Sequence, residues 1–243
     1  MIVASVITLI YLAVFLSLIL VSSAYVRQGV SVVMVYLPLI YLFIVFSLLS
    51  FTGYIKGNCV KVTSKQLHQI YATLCAQAKA LKFKHVPDTY IMESHGILQA
   101  FALRFFMRNY VVLTSRIIEA ARINGNEEAV AFIIGHELGH HKRRHTSLIV
   151  FLVKILSFWV PFLQNAYSRA CEYTCDSIGH SLAPAGSKMG LLAFAAGNLA
   201  KEVDLEEFFA TTKKDKGFAT WFSSIYSTHP HLADRLKKLS LQA

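Results

Sequence analysis

The chain has 243 residues, enough for one globular domain with appendages, and 55% of them are hydrophobic, which excludes an ordinary fully solvated domain. Its formal net charge of +10 comes with no nucleic-acid-binding motif, so nucleic acid is not expected as a partner. Four cysteines are too few for a disulfide framework.

The apolar excess sits at the N-terminus, where Arg27 is the only charged side chain between Met1 and Ile55. Ile2 to Val21 and Val30 to Phe51 each exceed the roughly 18 uncharged residues that mark a membrane-helix candidate. Ser22 to Gly29 between them is too short for a domain. Residues 1–55 are therefore expected to form a transmembrane helical hairpin, and residues 56–243 the working domain. An alternative for the first span is a removed signal peptide ending near Ser22-Ser23-Ala24, although no Lys or Arg precedes it. Lys56, Lys61 and Lys65 follow the second span, and positive flanks favour the cytoplasm. The expected location is thus the cell inner membrane, with the domain on its cytoplasmic side beside anionic headgroups.

Ser64 is a candidate cap for a helix with Leu67, Ile70, Tyr71, Leu74, Ala78 and Leu81 at helical spacing. After Pro87-Asp88, three short strands are expected: Thr89 to Met92, Ile97 to Leu103 and Tyr110 to Thr114. A helical pattern starts at Ser115, breaks at Gly125-Asn126, and resumes with Asn126 as cap and Glu127 and Glu128 in the first turn. The rest reads as mostly helical, so the expected class is mainly α (α+β) with a small β-sheet.

The resumed helix carries His136-Glu137-Leu138-Gly139-His140. At about 100° per residue, the two histidines lie about 40° apart on one face and one turn apart in height. Both imidazoles can reach one ion with Glu137 beside them, which is the H-E-x-x-H arrangement of zinc hydrolases. His141 and His145 have the same spacing without a glutamate and are expected to face solvent or headgroups. A catalytic zinc usually takes three protein ligands. Glu172 is the expected third, with Asp176 one turn later accepting the outer N–H of a ligand histidine. Cys171 and Cys175 read as packing thiols.

Ser147 to Leu163 is hydrophobic, but only 31 residues separate His140 from Glu172, against about 40 for a crossing with return. That segment is expected to be a core helix, an interfacial helix or a partial hairpin. Near the C-terminus, His229 before Pro230 is the candidate donor to the oxyanion of a tetrahedral intermediate.

Together these motifs resemble the HtpX-type zinc metallopeptidases, the membrane-associated gluzincin family that also contains the CAAX prenyl proteases. The resemblance runs from roughly Ser64 to the C-terminus. It implies a zincin-type metalloprotease domain with one Zn2+ per chain held by His136, His140 and Glu172, catalysis by Glu137, and transition-state contact by His229. It also implies that Arg235 pairs with an acidic residue near the site, Asp176 being the candidate. The family's Asn-Ala-Phe-Ala edge strand, against which substrate backbone adds, corresponds to Gln99-Ala100-Phe101-Ala102. Gln99 departs from that pattern by one methylene. HtpX proper carries two membrane helices between the metal motifs, and this chain is shorter there.

The expected activity is hydrolysis of peptide bonds in proteins at the cytoplasmic membrane surface, in protein quality control. Its partners would be protein or peptide substrates and the lipid bilayer. The alternatives are a prenyl-protein protease and a catalytically idle zinc-binding membrane adaptor. Nothing in the sequence sets an oligomeric state.

Overall fold

The structure, a computed structural model, describes residues 16–17, 24–93, 100–105, 108–145 and 162–241. The chain divides into two compact units, Met1–Tyr54 and Ile55–Ala243. Helix α1 (Ala24–Asn58) accounts for most of the described part of the first unit, and its last turn belongs to the second. Gln28–Asn58 is long and apolar enough, by length and composition, to cross a membrane. The helix is longer at both ends than the expected Val30 to Phe51, and Ala24 to Gly29 are helical rather than a linker. Pro38 lies inside this helix and removes one N–H donor, while helical bonding can serve the other interior backbone groups of the segment. Apart from Leu16 and Ser17, the first expected span lies outside the described residues, as therefore does the hairpin's first arm.

The second unit contains a four-stranded sheet of β1 (Val60–Lys61), β2 (Asp88–Met92), β3 (Ala100–Phe105) and β4 (Arg108–Thr114), in the order β1-β2-β4-β3. Strands β2 and β4 are parallel, whereas β1 and β3 run antiparallel to their neighbours. Side chains alternate across β4 as the pleat requires. Val111 and Leu113 enter the main helical core, while Tyr110 and Val112 pack with Ile55 and Tyr90 on the other face. Among the described residues, strand β3 pairs with β4 and forms one edge of the sheet. It begins at Ala100 among the described residues and continues past the expected Leu103 to Phe105.

Helix α2 (His68–Ala80) starts later than Ser64 would have it. Thr63 and Gln66 close a turn by reciprocal backbone hydrogen bonds of 3.1 and 3.3 Å. The helix then begins behind Leu67, whose φ is 60°, without a side-chain cap.

Helix α3 (Ser115–Lys142) runs unbroken through Gly125 and Asn126, so the expected break and the Asn126 cap do not form. The buried Asn124 amide donates to the carbonyls of Ala120 (2.7 Å) and Gly197 (2.9 Å) and accepts from the Lys201 N–H (2.9 Å). Just beyond, Ala129, Val130, Phe132 and Ile133 are buried in the core. Tertiary packing of this kind outweighs the weak helix preference of one Gly-Asn pair.

Five further elements follow from Leu163 in chain order: α4 (Leu163–Leu182), α5 (Ser187–Ala196), a 3-10 turn (Gly197–Glu202), α6 (Leu205–Lys214) and α7 (Phe218–Tyr226). Helix α8 (Leu232–Ser240) ends the described chain. Of the hydrophobic run Ser147 to Leu163, only Phe162 and Leu163 fall within the described residues.

Helices α3 and α4 approach closely where glycines face each other. A Cβ on Gly135 would lie 3.1 Å from the Gly179 Cα, and one on Gly139 would lie 3.2 Å from the Cys175 Cα. Gly135 and Gly139 share a helical face, and their lack of side chains lets the two backbones meet. This contact brings the residues flanking the glycines, His136 and His140, alongside Glu172 and Asp176.

Candidate metal centre

Three donor groups converge between α3 and α4. His136 Nε2 lies 3.2 Å from His140 Nε2. Glu172 Oε2 lies 3.4 Å from His136 Nε2, and Glu172 Oε1 lies 3.4 Å from His140 Nε2. Two ligand atoms on a tetrahedral ion with bonds near 2.05 Å are separated by about 3.3 Å. The two histidine nitrogens stand at about that separation, and each has one oxygen of the Glu172 carboxylate at a similar distance, so the three residues can close on one ion.

The remaining bonds fix which atoms point inward. Asp176 Oδ1 lies 2.9 Å from His136 Nδ1, which must donate because the carboxylate only accepts. A neutral His136 then presents its Nε2 lone pair to the centre. Arg235 holds Asp176 with two hydrogen bonds, Nε to Oδ2 at 2.8 Å and Nη2 to Oδ1 at 2.6 Å. Its Nη2 also lies 3.7 Å from Glu172 Oε2. This planar fork suits guanidinium and would not be reproduced by lysine.

Glu137 is buried, and its Oε2 has no hydrogen-bond partner among the described residues. An orphaned buried carboxylate oxygen is costly unless something in the cleft uses it. Three buried carboxylates, Glu137, Glu172 and Asp176, face one buried guanidinium, Arg235. With neutral imidazoles the set carries excess negative charge that a divalent cation would neutralise. The donor types, their spacing and their charge all fit zinc.

Titration behaviour follows from the same contacts in the metal-free protein. Burial opposes a charge on His136, but hydrogen bonds to Asp176 and Glu172 outweigh it and raise its pKa to about 10. Burial, together with the neighbouring His136, lowers His140 to about 3. Burial raises Glu137 to about 7. Glu172 and Asp176 are opposed by burial yet end near 2. Hydrogen bonding to His136 dominates the lowering for Glu172, and hydrogen bonding to Arg235 dominates it for Asp176. A proton on His136 thus provides the positive charge when no metal does.

These groups line a cleft of about 660 Å³, within the range of ligand sites. Ala100, Phe101 and Ala102 of edge strand β3 form one wall. Gln99 lies outside the described residues. On another wall, His229 Nε2 stands 3.7 Å from Glu172 Oε1, and its Nδ1 lies 3.1 Å from the Thr228 hydroxyl.

Sequence reasoning assigned no role in the site to Arg169. It donates from Nη1 to the carbonyls of Ile225 (2.7 Å) and Ser227 (2.8 Å), tying the His229 loop to the helix that carries Glu172. The signal was its spacing, since residues 169, 172 and 176 share one helical face.

The expectation that His141 and His145 face solvent or headgroups is corrected. His141 is buried, with Nε2 2.9 Å from the Tyr110 carbonyl oxygen. His145 Nδ1 lies 3.4 Å from His140 Nδ1 and 3.6 Å from Cys175 Sγ. The helix end is covered by sheet and by α4, which spacing along α3 alone does not disclose. Cys171 lines the cleft, and burial pushes the Cys175 thiol pKa up.

A His-Glu-x-x-His helix with a converging carboxylate defines a metallopeptidase, and comparison with known families agrees. The model of peptidase family M48 matches residues 61–161 and 147–243, and the chain belongs to that family. Its fold is similar to that in the crystal structure of S. mikatae Ste24p, with a TM-score of 0.55 and 15% sequence identity. The alignment covers 98% of this chain and 63% of that one, so the chain spans less than two thirds of its length. Comparison with curated protein sequences found no match.

Proposed function

We propose that this protein is a membrane-anchored zinc endopeptidase that cleaves proteins at the cytoplasmic membrane surface in protein quality control. The observation that carries the peptidase reading is the orphaned Glu137 Oε2 beside three donors spaced 3.2 to 3.4 Å apart. The apolar helix Gln28–Asn58 supports the anchor, and the basic residues that follow it support the cytoplasmic side.

His136 Nε2, His140 Nε2 and Glu172 would hold the zinc, one ion per chain. When bound, zinc polarises the scissile carbonyl and brings the pKa of water toward about 7. Glu137 is the general base: Oε2 takes the proton of the attacking water and returns it to the departing amine. A neutral His229 whose Nδ1 accepts from Thr228 would present Nε2–H to the developing oxyanion. Asp176 keeps the His136 tautomer, and Arg235 keeps Asp176 in place. An extended substrate would add along the edge of β3 opposite β4, whose backbone would supply hydrogen bonds at the cleft wall.

The test is Glu137→Gln in the full-length chain. Zinc content is expected to stay at one per chain while cleavage of an unfolded protein such as casein falls by about 100- to 10,000-fold. Undiminished turnover with bound zinc would remove Glu137 from the mechanism.

A further inference from the structure

Helix α7 presents an apolar face to the outside of the domain. Phe218, Trp221, Phe222, Ile225 and Tyr226 fall within an arc of about 140°, wide enough for a core-facing stripe. Yet no residue of the helix is buried: Phe218 is 77% exposed, Trp221 57% and Tyr226 66%. The rings are ordered against one another, with Phe222 stacked between Phe218 and Tyr226 at centroid distances of 6.2 and 5.9 Å. The hydroxyls of Thr220 and Ser224, away from this stripe, bond backbone carbonyls at 2.7 and 2.6 Å.

Charge selects the occupant. Lys213, Lys214 and Lys216 are exposed immediately before the helix, with Asp215 as the single acid among them. Trp and Tyr favour the membrane–water interface, where their rings sit among the headgroups, and nearby lysines meet anionic lipid. A short helix of this composition suits shallow insertion parallel to a bilayer. The domain is also covalently joined to an apolar helix of membrane-spanning length, which limits its distance from lipid.

We propose that α7 is a docking surface for anionic phospholipid bilayers, with its aromatic stripe in the headgroup layer. This surface is also fixed to the catalytic unit. Arg169 and Asn165 of α4 hold the carbonyls of Ile225, Tyr226 and Ser227 at the C-terminal end of α7. Thr228 and His229, which line the cleft, follow directly. A lipid-seated α7 therefore sets the cleft mouth at the membrane surface, where a polypeptide emerging from the bilayer meets it. The docking itself does not rest on the peptidase reading.

The experiment uses full-length protein carrying Trp159→Phe, which leaves Trp221 as the only tryptophan. It is reconstituted in nanodiscs of phosphatidylcholine with graded phosphatidylglycerol, one chain per disc, with bromine on the upper acyl carbons. Trp221 emission is expected to shift to the blue and lose most of its intensity as phosphatidylglycerol rises. Replacing Lys213, Lys214 and Lys216 by Gln should weaken docking by roughly a hundredfold, read as a higher phosphatidylglycerol content at half-quenching. Phe218→Ser with Phe222→Ser should abolish quenching while zinc content and cleavage of a short soluble peptide stay unchanged, which also shows that the variant folds. Emission that stays red and unquenched at every composition overturns the proposal, as does quenching independent of phosphatidylglycerol. A blue shift that appears only with two chains per disc assigns the face to a second copy and overturns it as well. Because the readout is fluorescence, an inactive Glu137→Gln chain should dock normally, so failure of docking and failure of the peptidase reading are distinguishable.

Discussion

Asp176 Oδ1 lies 2.9 Å from His136 Nδ1 while the same carboxylate takes two hydrogen bonds from Arg235. One buried acid thus couples the C-terminal helix α8 to the donor set between α3 and α4. Removing Arg235 takes two hydrogen bonds from the buried Asp176 carboxylate and leaves His136 to hold it. Arg235→Ala is expected to destabilise the domain by about 3–5 kcal/mol, and Arg235→Lys by less, since charge survives but the fork does not. Denaturant unfolding of metal-free protein measures this, and equal stability of wild type and Arg235→Ala would contradict it.

Chelation should abolish cleavage, and added zinc should restore it. Zinc at about 100 times its dissociation constant should also raise stability by about 2.7 kcal/mol over the stripped protein. Glu172→Ala should lose zinc even at concentrations that fill the wild type. Elemental analysis after dialysis reads this directly, and full occupancy in the variant would require another third ligand.

His145 contacts the nitrogen of His140 that faces away from the other donors. Outer partners of ligand histidines typically contribute 10- to 100-fold to metal affinity, and His145→Ala is expected to lower zinc affinity by about that factor. Competition with a chromophoric chelator reports the change. An unchanged affinity would mean that the 3.4 Å contact is incidental.

The close contact of α3 and α4 makes a packing prediction. A Cβ on Gly179 would meet the Phe132 carbonyl oxygen and ring at 3.0 Å. Gly179→Val should therefore cost about 1–3 kcal/mol and weaken zinc binding by separating the helices. Gly217→Ala, where an added Cβ meets nothing within 4 Å, is the control. Thermal unfolding of both variants with and without zinc separates stability from binding.

Much of the site was legible because its chemistry is local in sequence. Helical periodicity alone puts His136 and His140 on one face, and residues 172 and 176 of α4 on another. The apolar run before Lys56 likewise announced a membrane-length helix, whose observed span extends beyond the run because nothing in Ala24 to Gly29 stops it. The failures lie where distant contacts override local signals. Gly125-Asn126 reads as a helix break, but the anchoring of Asn124 to Gly197 and Lys201, 73 and 77 residues away, carries α3 straight through. Ser64 reads as a cap, but a turn closed by Gln66 uses that stretch first.

The sequence by itself determined the donor types, their spacing within each helix and the apolar helix that precedes the domain, since each depends only on residue identity and the pitch of an α-helix. Tertiary structure decided that the two helices meet at the glycines, that Arg235 grips its expected partner Asp176 through two hydrogen bonds, that Arg169 fixes the His229 loop, and that His141 and His145 turn inward. Those outcomes depend on how closely separate elements pack, and no stretch of sequence encodes a distance to a residue it has not yet met.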